Sequence, residues 1–165
     1  MSKIVFEDYT GEVTEKIRQT MISWLYEAGN ELASQTITRT GTGKYYREIA
    51  SKWDCIVDEE KLTATIGNPL ENALWVEYGT GEYALNKDGR KPYWVYVEDN
   101  TGKSNKSSKI YTLEEAKRVV AIMRSKGLKA RYTSGTPAKR PLHLAFTQNE
   151  EKLKDHLKSQ LGGMS

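Results

Sequence analysis

A chain of 165 residues, 38% hydrophobic and 28% charged, has the length and composition of one soluble globular domain that can bury a core without metals or disulfides. No apolar run approaches the roughly 20 residues needed to span a bilayer, and Met1–Asp8 lacks the apolar stretch of an export signal. The net charge of +3 is uneven: residues 101–141 hold eleven Lys and Arg against Glu114 and Glu115, so that segment is +9 and the remainder −6. Such asymmetry fits a surface meeting nucleic acid or an acidic partner, and equally a solvated face with scattered lysines. Cys55 is the single cysteine and cannot form an internal bridge, which suits a reducing compartment. With no His or basic neighbour in Trp53-Asp54-Cys55-Ile56-Val57, it is expected to be a buried, inert thiol.

From Gly11 to Thr36, Val13, Ile17, Met21, Trp24, Leu25, Ala28 and Leu32 recur at steps of three and four, the stripe of a long amphipathic helix. Thr36–Gly43, with β-branched residues and glycines, is expected to be a flexible connection. Trp53/Cys55/Val57 and Leu62/Ala64/Ile66 alternate on either side of Asp58-Glu59-Glu60-Lys61, predicting an antiparallel hairpin with one wet face. Asn68-Pro69 stops the second strand. Leu70–Tyr78 fits a short helix or a strand and leads into Gly79-Thr80-Gly81.

Tyr93–Val97 is rich in aromatic and β-branched residues and predicts a strand. Residues 79–92 and the polar loop 99–109 are expected to be exposed and mobile. Thr112-Leu113-Glu114-Glu115 is a capping box for a helix running to Lys126, with Gly127 as its stop and Leu128–Tyr132 as a strand. Pro141 opens a last helix carrying Leu142, Ala145, Phe146, Leu153, Leu157 and Leu161, ended by Gly162-Gly163. The predicted fold is a single α+β domain over residues 1–165. Helices at about 11–36 and 141–160 pack on an antiparallel sheet, and a βαβ-like strand-helix-strand unit is inserted at about 93–132.

No catalytic constellation emerges. In Thr40-Gly41-Thr42-Gly43-Lys44 a phosphate-binding loop would need glycine where Thr38 stands and a hydroxyl where Tyr45 stands. Gly102-Lys103-Ser104 has Val97 at the leading glycine position and no following helix. His143 and His156 are thirteen residues apart on one predicted helix, about 20 Å, too far to share an ion. Glu71 and Glu77 have no nucleophile with a base beside it. The expectation is a protein that is not an enzyme and uses no metal, nucleotide or other cofactor.

Leu74-Trp75-Val76-Glu77-Tyr78-Gly79-Thr80-Gly81, followed some sixty residues later by Pro137-Ala138-Lys139-Arg140-Pro141-Leu142-His143-Leu144-Ala145-Phe146, stands out. With the long N-terminal helix, this order resembles the tail-completion (minor tail, head–tail joining) family of long-tailed bacteriophages and prophages, over about residues 11–81 and 135–161. The resemblance implies a non-catalytic, ring-forming virion protein that completes the neck and tail and joins tail to head. It would be assembled in the host cytoplasm and carried in the virion, with itself and neighbouring neck or tail proteins as partners, passing DNA as a further contact, and no membrane. Residues 93–132 depart from the family pattern and are weakly similar to small β-α-β modules that bind peptidoglycan or other chains.

Gly79 and Gly81 tolerate positive φ and let the chain turn after an aromatic segment. Trp75, Glu77, Tyr78, Gly79, Thr80, Gly81, Arg140 and Pro141 are the candidate subunit contacts, since aromatics are enriched at interfaces. An ordinary glycine turn beside core aromatics is the other reading. The alternative function is a nucleic-acid-binding module using residues 101–141, with Tyr111 and Tyr132 interleaved among its cations.

Overall fold

A computed structural model describes residues 9–98, 104–106 (backbone only) and 109–163. The fold is α+β, and the chain forms two compact units, one from Met1–Pro69 with Pro141–Ser165 and the other from Leu70–Arg140. The second unit encloses the 93–132 segment. Among the described residues no helix is long and apolar enough to cross a membrane.

The first unit is built on α1 (Thr10–Thr40), which runs past the connection expected at Thr36. Thr36 and Thr40 are fully buried, and their hydroxyls donate to the carbonyls of Leu32 and Thr36 at 2.7 and 2.8 Å. The small helix penalty of β-branched residues is thus outweighed by burial with the polar atom satisfied in place. Gly41, at φ +105°, ends the helix. A short helix the sequence reading missed, α2 (Lys44–Ala50), follows and buries only Ile49 and Ala50. Trp53 then inserts its indole, whose Nε1 donates to Thr40 Oγ1 at 2.9 Å.

Strands β1 (Asp54–Asp58) and β2 (Thr63–Gly67) form the predicted antiparallel hairpin, with Cys55 opposite Ile66 and Val57 opposite Ala64 on the inner face and Ile56 outside. The hairpin approaches α1 so closely that a Cβ on Gly29 would collide with Cys55 Sγ. Cys55 is half-buried rather than buried; burial first, and Asp54 second, push its thiol pKa up, so it stays protonated. Gly29→Ala is expected to cost about 1–2 kcal/mol by overpacking and to become neutral or stabilising beside Cys55→Ala, where helix propensity alone acts. Denaturant unfolding of the two single variants and the double variant measures this directly.

Helix α5 (Pro141–Gly162) lies antiparallel along α1. Ala28, Leu32, Ala145 and Leu153 form the shared core, Trp24 and Ile66 pack against it, and Trp24 Nε1 donates to the Leu153 carbonyl at 3.2 Å. Glu27 faces His156 and Gln160, and Glu31 faces Lys152 at 3.9 Å. Such exposed pairs contribute at most about 1 kcal/mol, so the apolar seam sets the register. Val13 and Ile17, expected on the buried face, are 53% and 39% exposed, and burial on α1 begins at Ile22. The cause is length: α1 has 31 residues and α5 has 22, about 46 Å against about 33 Å. The first turns of α1 overhang the end of α5.

In the second unit the ambiguous segment is a helix, α3 (Glu71–Tyr78), which turns Ala73, Val76 and Glu77 inward at steps of three and one. Strand β3 (Trp94–Glu98) is central, flanked by β4 (Ser104–Lys106) and β5 (Lys129–Thr133), both antiparallel to it. This corrects the βαβ-like reading. The extra strand inside the expected loop reverses the chain once more, so α4 (Leu113–Ser125) delivers β5 antiparallel to β3. The remainder of that loop, residues 99–103 and 107–108, lies outside the described residues.

The capping box of α4 is present: Glu115 N–H donates to Thr112 Oγ1 at 3.4 Å, and the Glu115 carboxylate accepts from Thr112 N–H at 2.8 Å. That backbone donor, and then the Thr112 hydroxyl, hold the Glu115 carboxyl below its ordinary pKa. Gly127, at φ +78°, closes the helix as expected. Val95, Ala116, Val120 and Ala130 form the core between α4 and one sheet face.

Candidate functional site

The two separated motifs meet in the second unit. Val76–Glu82 runs antiparallel to Ser134–Arg140, tied by Lys139 N–H to the Val76 carbonyl at 2.8 Å, Thr80 N–H to the Thr136 carbonyl at 2.9 Å, and Glu82 N–H to the Ser134 carbonyl at 2.7 Å. Thr136 N–H donates to Thr80 Oγ1 at 3.0 Å. The backbones touch because glycine stands at each crossing: a Cβ on Gly81 would strike the Ser134 carbonyl, one on Gly135 the Thr80 carbonyl, and one on Gly89 the backbone of Gly81. Gly79 and Gly81 have φ of +74° and +63°, the left-handed conformation their sequence context predicted.

Residues 79–92, expected to be mobile, are thereby pinned at their start. Leu85 N–H also donates to the Tyr78 carbonyl at 2.9 Å, and Arg90 lies over the Trp94 ring while donating to the Lys109 carbonyl at 2.8 Å. Residues 82, 83 and 85–88 remain exposed.

Of the eight candidate contacts, Glu77, Gly79, Gly81 and Pro141 are buried, Trp75, Thr80 and Arg140 are half-buried, and Tyr78 is half exposed. Arg140 adopts φ +54° as the chain leaves the tie, and Pro141 begins α5 in the first unit. Burying a carboxylate is costly unless it is held by partners, so Glu77 belongs to the fixed body of this joint. The residues that present surface are others. Leu74, one turn before Tyr78 on α3, is 58% exposed, and Tyr83 and Leu85 are also exposed. Sequence reading missed them, together with Gly89 and Gly135; only the turn chemistry of Asp88-Gly89-Arg90 and Ser134-Gly135-Thr136-Pro137 hinted at the last two.

Residues 70–140 hold 14 Lys and Arg against 8 Asp and Glu, net +6, while the rest of the chain holds 11 against 14, net −3. Three of these cations have partners within the unit: Lys117 pairs with Glu114 at 2.9 Å, Arg131 with Glu98 at 3.4 Å, and Arg124 Nε donates to the Ala130 carbonyl. Tyr132 packs edge-on against Tyr93, and Lys109 lies over Tyr111. Among the described residues, no group of three or more His, Cys, Asp or Glu is arranged to hold a metal ion.

No family model, curated protein or solved structure matches the chain.

Proposed function

We propose that the chain is a structural assembly subunit of the tail-completion class, one member of a ring that completes a phage neck or tail and joins tail to head. The observation that carries this reading is the rigid joint at Val76–Glu82. It fixes α3 and its following turn through main-chain bonds and the Thr80 hydroxyl, while Leu74, Tyr78, Tyr83 and Leu85 stay exposed. Apolar anchors on a preorganised backbone lose little entropy on docking, which is what an interface needs. The joint takes in Val76–Gly81 of the first motif and Pro137–Arg140 of the second, the motifs on which the family resemblance rests.

The test is complementation of a phage lacking this gene with a Leu74→Ser/Tyr78→Ser variant. Both positions are exposed, so the variant is expected to fold with an unchanged circular dichroism spectrum and to leave heads and tails unjoined. Normal yields of joined particles would remove the joint from the interface. The second reading, nucleic-acid binding through residues 101–141, draws on that segment's net charge of +9. It requires affinity for single-stranded nucleic acid that falls steeply with salt, and a filter-binding titration that finds no such affinity would remove it.

A further inference from the structure

Three tyrosines that are far apart in the sequence meet at one corner of the second unit. Tyr93 and Tyr111 exchange main-chain bonds at 3.2 and 2.8 Å, and Tyr132 packs edge-on against Tyr93 with ring centres 6.0 Å apart. The approach to β3, the approach to α4 and the end of β5 thus deliver one ring each. Cations stand among the rings. Lys109 Nζ lies 5.4 Å from the centre of the Tyr111 ring, and Arg90 donates to the Lys109 carbonyl. Glu114 is the main cause of a raised pKa at Lys117, and the phenol groups of Tyr132 and Tyr93 add to it, so that ammonium stands near both rings.

We infer that this corner binds single-stranded nucleic acid, with bases stacked on the tyrosine rings and phosphates on Lys109, Lys117 and Arg118. Tyr132 is 38% exposed and Tyr93 and Tyr111 are half-buried, so ring surface remains for a base. The two carboxylates at the corner do not block it. Glu115 is committed to the capping box by Thr112 N–H, and the Lys117–Glu114 pair is exposed, a weak pair whose cation can turn to a phosphate. An acidic peptide would satisfy the cations and leave the rings unused, and a duplex would present phosphates while keeping its bases stacked inside. A single strand uses both, since every base has a face for a ring and every phosphate a charge for a cation.

The site rests on the nucleic-acid reading above and changes its location. The structure adds Tyr93 and Arg90 from outside residues 101–141. It also leaves Lys126 and Lys129 at the opposite ends of α4 and β5, Lys126 about 20 Å of helix from Thr112. That separation makes the two lysines a matched control.

Fluorescence anisotropy with a labelled oligothymidylate, and with its duplex as second probe, tests the site. The unaltered chain is expected to bind the single strand about tenfold or more tighter than the duplex, with a salt slope of about −2, as about three phosphate contacts require. Lys109→Ala/Lys117→Ala should weaken binding about tenfold and flatten that slope by about 1. Tyr132→Ala should also weaken it about tenfold, and Tyr132→Phe should restore it. Lys126→Ala/Lys129→Ala, with the same loss of charge, should stay within about twofold of the unaltered chain. Equal weakening by the two lysine pairs, a duplex bound as tightly as the single strand, or a Tyr132→Phe variant as weak as Tyr132→Ala would each overturn this site and leave the broader nucleic-acid reading standing. An unaltered chain with no affinity for either probe would overturn both.

Discussion

Gly81→Ala is expected to destabilise the second unit by about 3 kcal/mol or more, roughly twice the effect of Gly127→Ala. Both glycines sit in the left-handed region, at φ +63° and +78°, so the conformational cost of a Cβ, roughly 1–2 kcal/mol, is common to both. They differ in surroundings. A Cβ at Gly127 meets nothing within 4 Å, whereas one at Gly81 runs into the Ser134 carbonyl and the Gly135 backbone. Relief there requires Val76–Glu82 and Ser134–Arg140 to separate, which costs the bonds Glu82 N–H to Ser134 and Thr80 N–H to Thr136, about 1 kcal/mol each. Denaturant unfolding of the two variants, with hydrogen exchange to localise the loss, measures the difference. Equal losses would mean the two segments are not locked together. If the joint presents the interface, Gly81→Ala should also impair head–tail joining at temperatures where the chain remains folded.

That joint also marks where sequence reading ends. Positive φ at Gly79 and Gly81 was legible because the requirement is local, as were the capping box at Thr112 and Glu115 and the alternation of Cys55/Val57 with Ala64/Ile66. Their partners were not. Ser134, Gly135 and Thr136 lie more than fifty residues along the chain from Gly81, and nothing in their spacing names the carbonyl each will face. The tail of α1 failed for a different reason. Thr36 and Thr40 weaken a helix locally, and only their burial, with hydroxyls turned onto the preceding turn, reverses the preference. The stripe through Val13 and Ile17 was found by its period, but period says which residues share a face and nothing about how far a covering helix extends. The exposed stretch is the difference in length between α1 and α5.

The second large effect concerns Trp53, which sequence alternation assigned to the hairpin and which instead fastens α1 to the segment after α2. Trp53 is 8% exposed, and its Nε1 donates to Thr40 Oγ1, which in turn donates to the Thr36 carbonyl. Trp53→Ala opens a cavity and removes that bond, so a loss of about 3–5 kcal/mol is expected. The gentler variants separate packing from hydrogen bonding. Trp53→Phe keeps most of the apolar area and removes the donor, at about 1–2 kcal/mol. Thr40→Val keeps the shape but strands a buried indole N–H, at about 2 kcal/mol. Combining the two leaves no stranded donor, so the double variant should be more stable than the sum of the single losses predicts, by about 1 kcal/mol. Urea unfolding of the four proteins closes the cycle. Strict additivity would show that the indole N–H finds water or another acceptor when Thr40 is replaced, and that packing alone holds Trp53 against the end of α1.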